Sequence, residues 1–178
     1  MSAVRDTMPP APDAESRLHD AHHVSLRLWL RLLTCTLMIE RPVRSRLRER
    51  FATTLPRFDL MAQLERAPEG LKMSELSRQM MVTSGNVTGI TDQLAAEGMV
   101  ERRPIEGDRR AYAVRLTPAG RAAFDAMAKA HEHWIEDMVA AFPRADRDRL
   151  YALLGALKSS LRANATEQAP RRATKERR

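Results

Sequence analysis

The sequence is poor in cysteine, aromatic residues and glycine. A single cysteine, Cys35, among 178 residues excludes an internal disulfide framework and a zinc finger built on cysteines. Aromatic residues make up only 4%, too few for a platform on which single-stranded bases stack. The seven glycines form no phosphate-binding loop, and neither a nucleophile elbow nor an HExxH motif is present. We therefore expect a protein that is not an enzyme.

The sequence also lacks a long apolar run. No segment reaches the ~18 residues that a membrane span needs, and the first 16 residues contain no apolar core of a secretory signal. His19 and His23 lie four residues apart without a further chelating cluster beside them. We expect a soluble, cytoplasmic protein with no membrane partner, no metal site and no cofactor.

Positive charge is in excess. The chain has 30 Lys and Arg against 23 Asp and Glu, which gives a net charge of +7. Residues 21–162 carry +6 of this charge, because the acidic start and the basic end nearly offset each other. A basic body favours an anionic partner, of which nucleic acid is the commonest.

The first periodic segment predicts a long helix from about Ser16 to about Ile39. Its apolar surface extends nearly all round from Leu26 to Ile39, which is typical of a helix buried on more than one side, as in a dimer interface. We expect Cys35, within this apolar run, to be a small buried hydrophobe. Pro42 is expected to break or restart the helix.

The centre of the chain reads as two short helices followed by a two-stranded hairpin. Thr54 and Pro56 mark a helix entry, and Gly98 lies where a helix end favours a left-handed residue. After Gly98 the apolar period changes from helical to alternating, as in strands. The expected elements are a helix at about Met73–Met81, a helix at Thr83–Glu97, and strands at Met99–Pro104 and Ala111–Leu116.

The C-terminal part predicts two more helices. Thr117-Pro118 is a polar cap followed by proline at the first helical position, and Pro143 separates the two helices. The predicted organisation, mainly α with a small β-wing, has five parts. These are a disordered arm (1–15), N-terminal dimerisation and effector helices (16–52), a winged helix-turn-helix domain (53–117), C-terminal dimerisation helices (118–162) and a basic disordered tail (163–178).

The helix Thr83–Glu97 has the pattern of a helix that lies in a DNA major groove. Short side chains at its start let the backbone approach the duplex, and its unpaired amides suit a phosphate. Asn86 is the best candidate for reading a base, because an amide can pair bidentately with adenine. The candidate contact residues of this helix are Thr83, Ser84, Gly85, Asn86, Thr88 and Gly89.

The expected hairpin tip, residues 105–110, supplies a second contact. Arg109 and Arg110 at a turn can enter the minor groove, whose negative potential attracts arginine. Asp108 is repelled by phosphate, so we expect it to fix an arginine side chain by a charge-assisted hydrogen bond.

These patterns resemble the MarR family of bacterial transcriptional regulators. The resemblance covers about residues 20–162, and its most specific parts are VTGITDQLAAEGMVERR, the wing motif Asp108-Arg109-Arg110 and the corner Leu116–Gly120. It implies a homodimer, a palindromic operator in double-stranded DNA and repression relieved by a small ligand. Many members carry a long basic residue where this chain has Gly89, so specificity would depend more on Asn86, Thr88 and DNA shape.

A finer resemblance concerns the effector. LWLRLLTCTLMIE and RLRERFATTLPRFDLMAQL are similar to a MarR subgroup that responds to hydroxycinnamoyl-CoA thioesters and controls aromatic-acid catabolism. Arginines between positions 41 and 50 could bind the CoA phosphates, and apolar side chains could hold the acyl group. The candidate effector residues are Trp29, Arg44, Arg46, Arg48, Phe51, Phe58 and Met61.

Several alternatives stay open from the sequence. The effector could be a free aromatic carboxylate, or the switch could be oxidation of the Cys35 thiol. The protein could also be a non-specific architectural DNA binder. The arginine-rich segment could be a solvated helix face or a DNA-backbone contact, and Trp29 and Phe58 could be core or interface residues.

Overall fold

A computed structural model describes residues 23–80, 84–105 and 108–175, with the backbone alone at Ser84, at 108–111 and at 165–175. The fold is mainly helical with a small antiparallel sheet, as the sequence predicts. The chain divides into two compact units, Met1–Trp134 and Ile135–Arg178. The elements are α1 Val24–Phe51, α2 Leu55–Glu65, β1 Leu71–Lys72, α3 Met73–Met80, α4 Ser84–Ala96, β2 Val100–Ile105, β3 Asp108–Leu116, α5 Pro118–Val139 and α6 Arg144–Lys175.

Helix α1 is continuous over Val24–Phe51 and contains Pro42. The expectation that Pro42 breaks the helix is therefore wrong. Proline removes one backbone donor, but Val43 and Leu47 in the following turns are buried and hold the second half of α1 against the core. The expected start near Ser16 lies outside the described residues, as do the arm 1–15 and His19.

Cys35 is exposed, so the expectation that it is buried is wrong for the single chain. It lies in the first half of α1, where large apolar side chains are exposed as well. The apolar composition of this run predicts burial, but no described element of the first unit covers Cys35. None of the described helices is long and apolar enough to cross a membrane.

The core of the first unit forms where α2 packs against α3, α4 and β3. Leu60, Met61 and Leu64 of α2 are buried there, together with Leu76 of α3. The apolar spacing in the sequence predicts a stripe of Phe58, Met61 and Leu64 on this helix, and all three are buried. Phe58 stacks on Phe124 of α5 with ring centroids 5.5 Å apart, which joins α2 to α5.

The sheet has the order β1-β3-β2 and is antiparallel throughout. Leu71 of β1 pairs with Val114 of β3, and Val100 of β2 pairs with Leu116. Val114 and Leu116 are buried on one face, as their alternation predicts. Strand β1 was not predicted, because two residues are too few to show a period.

The corner between β3 and α5 is held by Thr117. Its Oγ1 accepts a hydrogen bond from the Gly120 amide (3.0 Å) and donates one to the Gly98 carbonyl (2.7 Å). Gly120 has no room for a side chain, because a Cβ there would lie 1.8 Å from the Met99 carbonyl oxygen. Gly98 has a φ of +70°, the left-handed conformation expected at this helix end. The predicted cap thus ties the end of α4 to the start of α5.

In the second unit, α6 runs from Arg144 to Lys175. The break at Pro143 is confirmed, but the segment expected to be a disordered tail from residue 163 is helical as far as Lys175. Four alanines and two arginines between positions 163 and 175 favour the helix, which continues past Pro170. Its exposed large apolar side chains are Leu150, Tyr151, Leu153, Leu154 and Leu161.

Candidate nucleic-acid interface

Helix α4 has one buried face and one exposed face. Val87, Thr91 and Leu94 are buried, and they follow one another at spacings of three and four. The Thr91 hydroxyl donates to the Val87 carbonyl at 2.8 Å, which satisfies the one buried polar side chain on this face. The apolar spacing of this helix predicts that Val87, Ile90 and Leu94 face inward; Val87 and Leu94 are buried, whereas Ile90 is half-buried. Thr91 is overlooked, because threonine is not counted as apolar.

The opposite face of α4 is open at its N-terminal end. Gly85, Asn86, Thr88 and Gly89 are all exposed. A Cβ at Gly85 or Gly89 would meet no atom within 4 Å, so nothing in the described structure covers this surface. The structure thus brings these candidates together on one face. Thr83 lies outside the described residues, and of Ser84 only the backbone is described.

The wing differs from the prediction at its tip. Asp108, Arg109 and Arg110 belong to β3, whereas they were expected in a turn. Asp108 pairs with Ile105 across the hairpin, after an irregularity in register at Pro104 and Ile105. The sequence did not predict this early start of β3, because Asp108 has a low strand propensity and a short charged segment resembles a loop.

One ion pair joins the wing to α4, a second joins the two strands of the wing, and no sequence pattern predicted either. Arg102 of β2 pairs with Asp92 of α4 and lies 5.1 Å from the centroid of the Tyr112 ring. Arg115 donates to Glu101 at 2.5 Å, and this hydrogen bond lowers the pKa of the Glu101 carboxyl. Partners ten or more residues apart on different elements leave no local signal in a sequence. The Arg102–Asp92 pair holds β2 beside α4.

A cavity of about 560 Å³ lies between α1, α2, α3 and α5. Arg44 and Phe58, two of the candidate effector residues, line it together with Asp59, Arg66 and His131. Arg44 also pairs with Glu40 at 2.8 Å, so one cation at the cavity is partly neutralised. The cavity therefore combines aromatic surface with charged groups of both signs.

Two groups in this cavity titrate away from their ordinary range. The pKa of Asp59 is raised because the surrounding protein removes part of its solvent and because Glu40 is near, while Arg44 acts in the opposite direction. The pKa of His131 is lowered because burial disfavours its charged form. His131 lies 5.1 Å from Phe58 between ring centroids. Neither group is among the seven candidate effector residues.

The remaining effector candidates lie outside this cavity. Trp29 is 57% exposed on α1, roughly 22 Å along the helix from Arg44 at the usual rise per residue. Arg46 lies 5.7 Å from the Trp134 ring centroid, and Arg48 is exposed beside a shallow depression on α1. Phe51 and Met61 line a different cavity. Of the seven candidates, only Arg44 and Phe58 line the cavity of about 560 Å³.

Among the described residues, no group of three or more His, Cys, Asp or Glu side chains is placed to hold a metal ion. His133 and Cys35 belong to the part of the chain that the structure describes, and neither joins such a group.

Comparisons with known proteins identify the family. The sequence profile of the MarR family matches residues 53–112. The chain is 32% identical over 106 residues to the HTH-type transcriptional regulator PecS of Dickeya dadantii, which is 58% of this chain and 64% of PecS. The aligned stretch thus spans a little under two thirds of that relative.

Solved structures extend the similarity over more of the chain. A MarR family transcriptional regulator from Silicibacter pomeroyi is 30% identical, with a TM-score of 0.69 over 81% of this chain and 99% of that one. FabT of Streptococcus pneumoniae, solved in complex with DNA, shares the fold at 23% identity, with a TM-score of 0.66 over 78% of this chain and 98% of that one. The chain therefore belongs to the MarR family of transcriptional regulators.

Proposed function

We propose that this protein is a homodimeric regulator that binds a specific, two-fold symmetric operator in double-stranded DNA. The observation that carries the proposal is the division of α4 between a buried face and an exposed face of short polar residues and glycines. Asn86 reads a base edge on this face, and the small neighbours Gly85 and Gly89 allow the backbone to approach the duplex. Arg109 and Arg110 of the wing contact the adjacent minor groove.

The proposed dimer interface consists of the first half of α1 and of α6. Both carry large apolar side chains that the single chain leaves exposed, including Trp29 and Leu37 of α1 and Leu153 of α6. Contiguous exposed apolar surface is typical of an association site. A two-fold dimer places its two α4 helices about 34 Å apart, one turn of DNA. FabT, which shares the fold, was solved with DNA bound.

The test of this proposal is fluorescence anisotropy with a duplex from the upstream region of the gene and a scrambled duplex. Asn86→Ala should weaken binding to the upstream duplex by roughly tenfold or more, the usual effect of losing one bidentate base contact. Binding to the scrambled duplex should not change. Gln93→Ala, an exposed amide nearer the C-terminal end of α4, is the matched control and should leave both affinities unaltered. Equal losses on both duplexes would contradict base reading by Asn86.

The proposed mode of action is repression in the bacterial cytoplasm, on the nucleoid, released by an aromatic acyl-CoA thioester of the hydroxycinnamoyl type. The cavity beside Phe58 and Phe124 suits an aromatic acyl group, and Arg44, Arg46 and Arg48 lie on the same helix, α1, as candidates for the CoA phosphates. This role would connect the protein with aromatic-acid catabolism. A free aromatic carboxylate paired with Arg44 or Arg66 is the alternative ligand.

An effector acts only if it binds the free and DNA-bound states differently. Release of the upstream duplex by p-coumaroyl-CoA, but not by CoA or p-coumarate, would support the thioester. Release by p-coumarate would support the carboxylate. Release by peroxide that Cys35→Ser abolishes would support the exposed thiol as a redox switch. If none of them releases the duplex, the effector proposal fails while DNA binding stands.

A further inference from the structure

Helix α4 contains a single charged residue, and its charge is negative. The sequence of α4, Ser84–Ala96, includes Asp92 but no lysine, arginine or glutamate. DNA phosphates attract cations and repel carboxylates. A helix that binds DNA with this composition gains no electrostatic attraction from its own side chains, so the partner of Asp92 decides what the carboxylate does.

Asp92 lies next to the exposed polar surface of α4. It follows Gly89 by three residues and Thr88 by four, the spacings that place side chains beside each other on a helix. Gly89 and Thr88 are exposed and belong to the candidate DNA contacts. The side chain of Asp92 is itself 55% exposed. Its carboxylate therefore borders the surface that we assign to the duplex.

The carboxylate of Asp92 holds an arginine of the wing. It forms an ion pair with Arg102 of β2. The guanidinium group of Arg102 also lies 5.1 Å from the ring centroid of Tyr112 on β3, within the range of a cation–π contact. Two partners on two different elements thus fix the position of this guanidinium group.

The other arginines of the wing whose side chains the structure describes are paired as well. Arg103 and Arg115 both contact Glu101. Non-specific binding to DNA depends on the number of phosphates that lysine and arginine side chains neutralise. An arginine that is held by a carboxylate of its own chain is less able to neutralise a phosphate. Of the two carboxylates, only that of Asp92 lies on α4.

We propose that Asp92 is a specificity-determining residue that keeps Arg102 from binding the phosphates that every DNA sequence offers. Phosphate contacts supply most of the affinity for non-specific DNA, whereas base contacts distinguish one sequence from another. Holding Arg102 therefore weakens the non-specific complex more than the operator complex. This inference rests on the proposed binding of DNA by α4.

The test compares the wild type with Asp92→Asn, which keeps the shape of the side chain and removes its charge. Fluorescence anisotropy measures the affinity for the upstream duplex and for the scrambled duplex between about 50 mM and about 200 mM salt. At the lower salt concentration the affinity for the scrambled duplex should rise about fivefold. This gain should shrink about threefold over the salt range, because one added phosphate contact steepens the dependence of log K on log salt by about 0.9.

The affinity for the upstream duplex should change by less than about twofold, so the preference for that duplex falls. Glu69→Gln removes the same charge at an exposed position before β1 and should leave the salt dependence unaltered. An unchanged affinity of Asp92→Asn for the scrambled duplex, or an equal rise on both duplexes, would overturn the proposal.

A substitution of Arg102 shows whether the freed arginine is the cause. Arg102→Met should leave the salt dependence on the scrambled duplex unchanged in the wild type, where Asp92 holds Arg102. In the Asp92→Asn background the same substitution should reduce the slope by about 0.9. An equal reduction in both backgrounds would show that Arg102 already binds a phosphate and would overturn the proposal.

These outcomes are distinct from failure of the proposed function. Both substituted side chains are partly exposed, and thermal unfolding verifies that the variants are folded. Equal affinity of the wild type for both duplexes would refute the operator-specific regulator itself. Where the wild type prefers the upstream duplex, the variants alone decide the role of Asp92.

Discussion

The two halves of α1 differ in a way that their composition does not suggest. The first half, up to Ile39, carries eight large apolar side chains that are 38% to 70% exposed. The second half carries five arginines between positions 41 and 50, yet it buries Val43 and Leu47 in the core. The more hydrophobic half of the helix is therefore the more exposed one in the single chain.

The reason is what packs against each half. Trp134 of α5 covers the second half, with its ring 6.3 Å from Phe51 and under the guanidinium groups of Arg46 and Arg50. Arginines keep their charged ends near solvent while their stems cover apolar surface. Nothing described within the first unit covers the first half, whose exposed surface we assign to a second copy of the chain. Burial thus depends on the packing partner rather than on hydropathy alone.

The largest expected effect on the free energy of unfolding is at Gly120, where there is no space for a side chain. Gly120→Ala places a Cβ 1.8 Å from the Met99 carbonyl oxygen, so the backbone of the corner must move. We expect a loss of about 3 kcal/mol or more in the free energy of unfolding, measured by urea denaturation. Gly89→Ala, whose Cβ meets nothing within 4 Å, should instead add about 0.5–1 kcal/mol because alanine favours the helix. Equal effects at both positions would contradict the contrast between covered and open surfaces.

The buried half of α1 is tested by Leu47, which is 0% exposed. Leu47→Ala should lower the free energy of unfolding by about 2–5 kcal/mol through lost burial and a cavity. The loss should be the same at all protein concentrations, because Leu47 lies in the core of one chain. A loss below about 1 kcal/mol, in the range of surface substitutions, would show that this half is not anchored.

The exposed half is tested by Leu37, on the same helix. Leu37→Ala should raise the dimer dissociation constant roughly tenfold, because a leucine buried at an interface contributes about 1.5–3 kcal/mol. Sedimentation equilibrium measures this constant. The melting temperature of the variant should also depend more strongly on protein concentration. An unchanged dissociation constant would place the interface elsewhere.

The smallest expected effect is on the pH dependence of the free energy of unfolding, through His131 of α5. Burial lowers the pKa of His131, so its contribution to stability is complete above the ordinary pKa of about 6.5 and is lost as the pH falls toward the folded-state pKa. His131→Gln should therefore reduce the fall in the free energy of unfolding between about pH 7.5 and pH 5. His133→Gln, at an exposed position two residues further on, serves as the control. Identical pH profiles for the wild type and His131→Gln would contradict the assignment.

Local signals predicted the elements that have local causes. Thr117 and Gly98 mark helix boundaries through a cap and a left-handed residue, and the stripe of α4 predicted its buried face. Pro42 misled because a proline predicts a break from its own chemistry, whereas the packing of Val43 and Leu47 decides the outcome. Cys35 misled because an apolar run does not show that another element of the same chain packs against it.

The candidate site was predictable where it follows one helix face and not where it needs tertiary structure. Asn86 and Gly89 share a face of α4 by spacing alone. The effector candidates are close in sequence, but α1 spreads Trp29 and Arg44 along its length, and Phe51 of α1 and Met61 of α2 line another cavity. His131 comes to Phe58 from α5, a contact over more than seventy positions that no local pattern contains.

The most direct test of the proposed regulatory function is sedimentation velocity of the protein with a fluorescent duplex from the upstream region of its gene. We expect two chains on one duplex and an affinity roughly a thousandfold higher than for a scrambled duplex, at physiological salt. A single chain per duplex, or equal affinity for the scrambled sequence, would contradict a dimeric, operator-specific regulator.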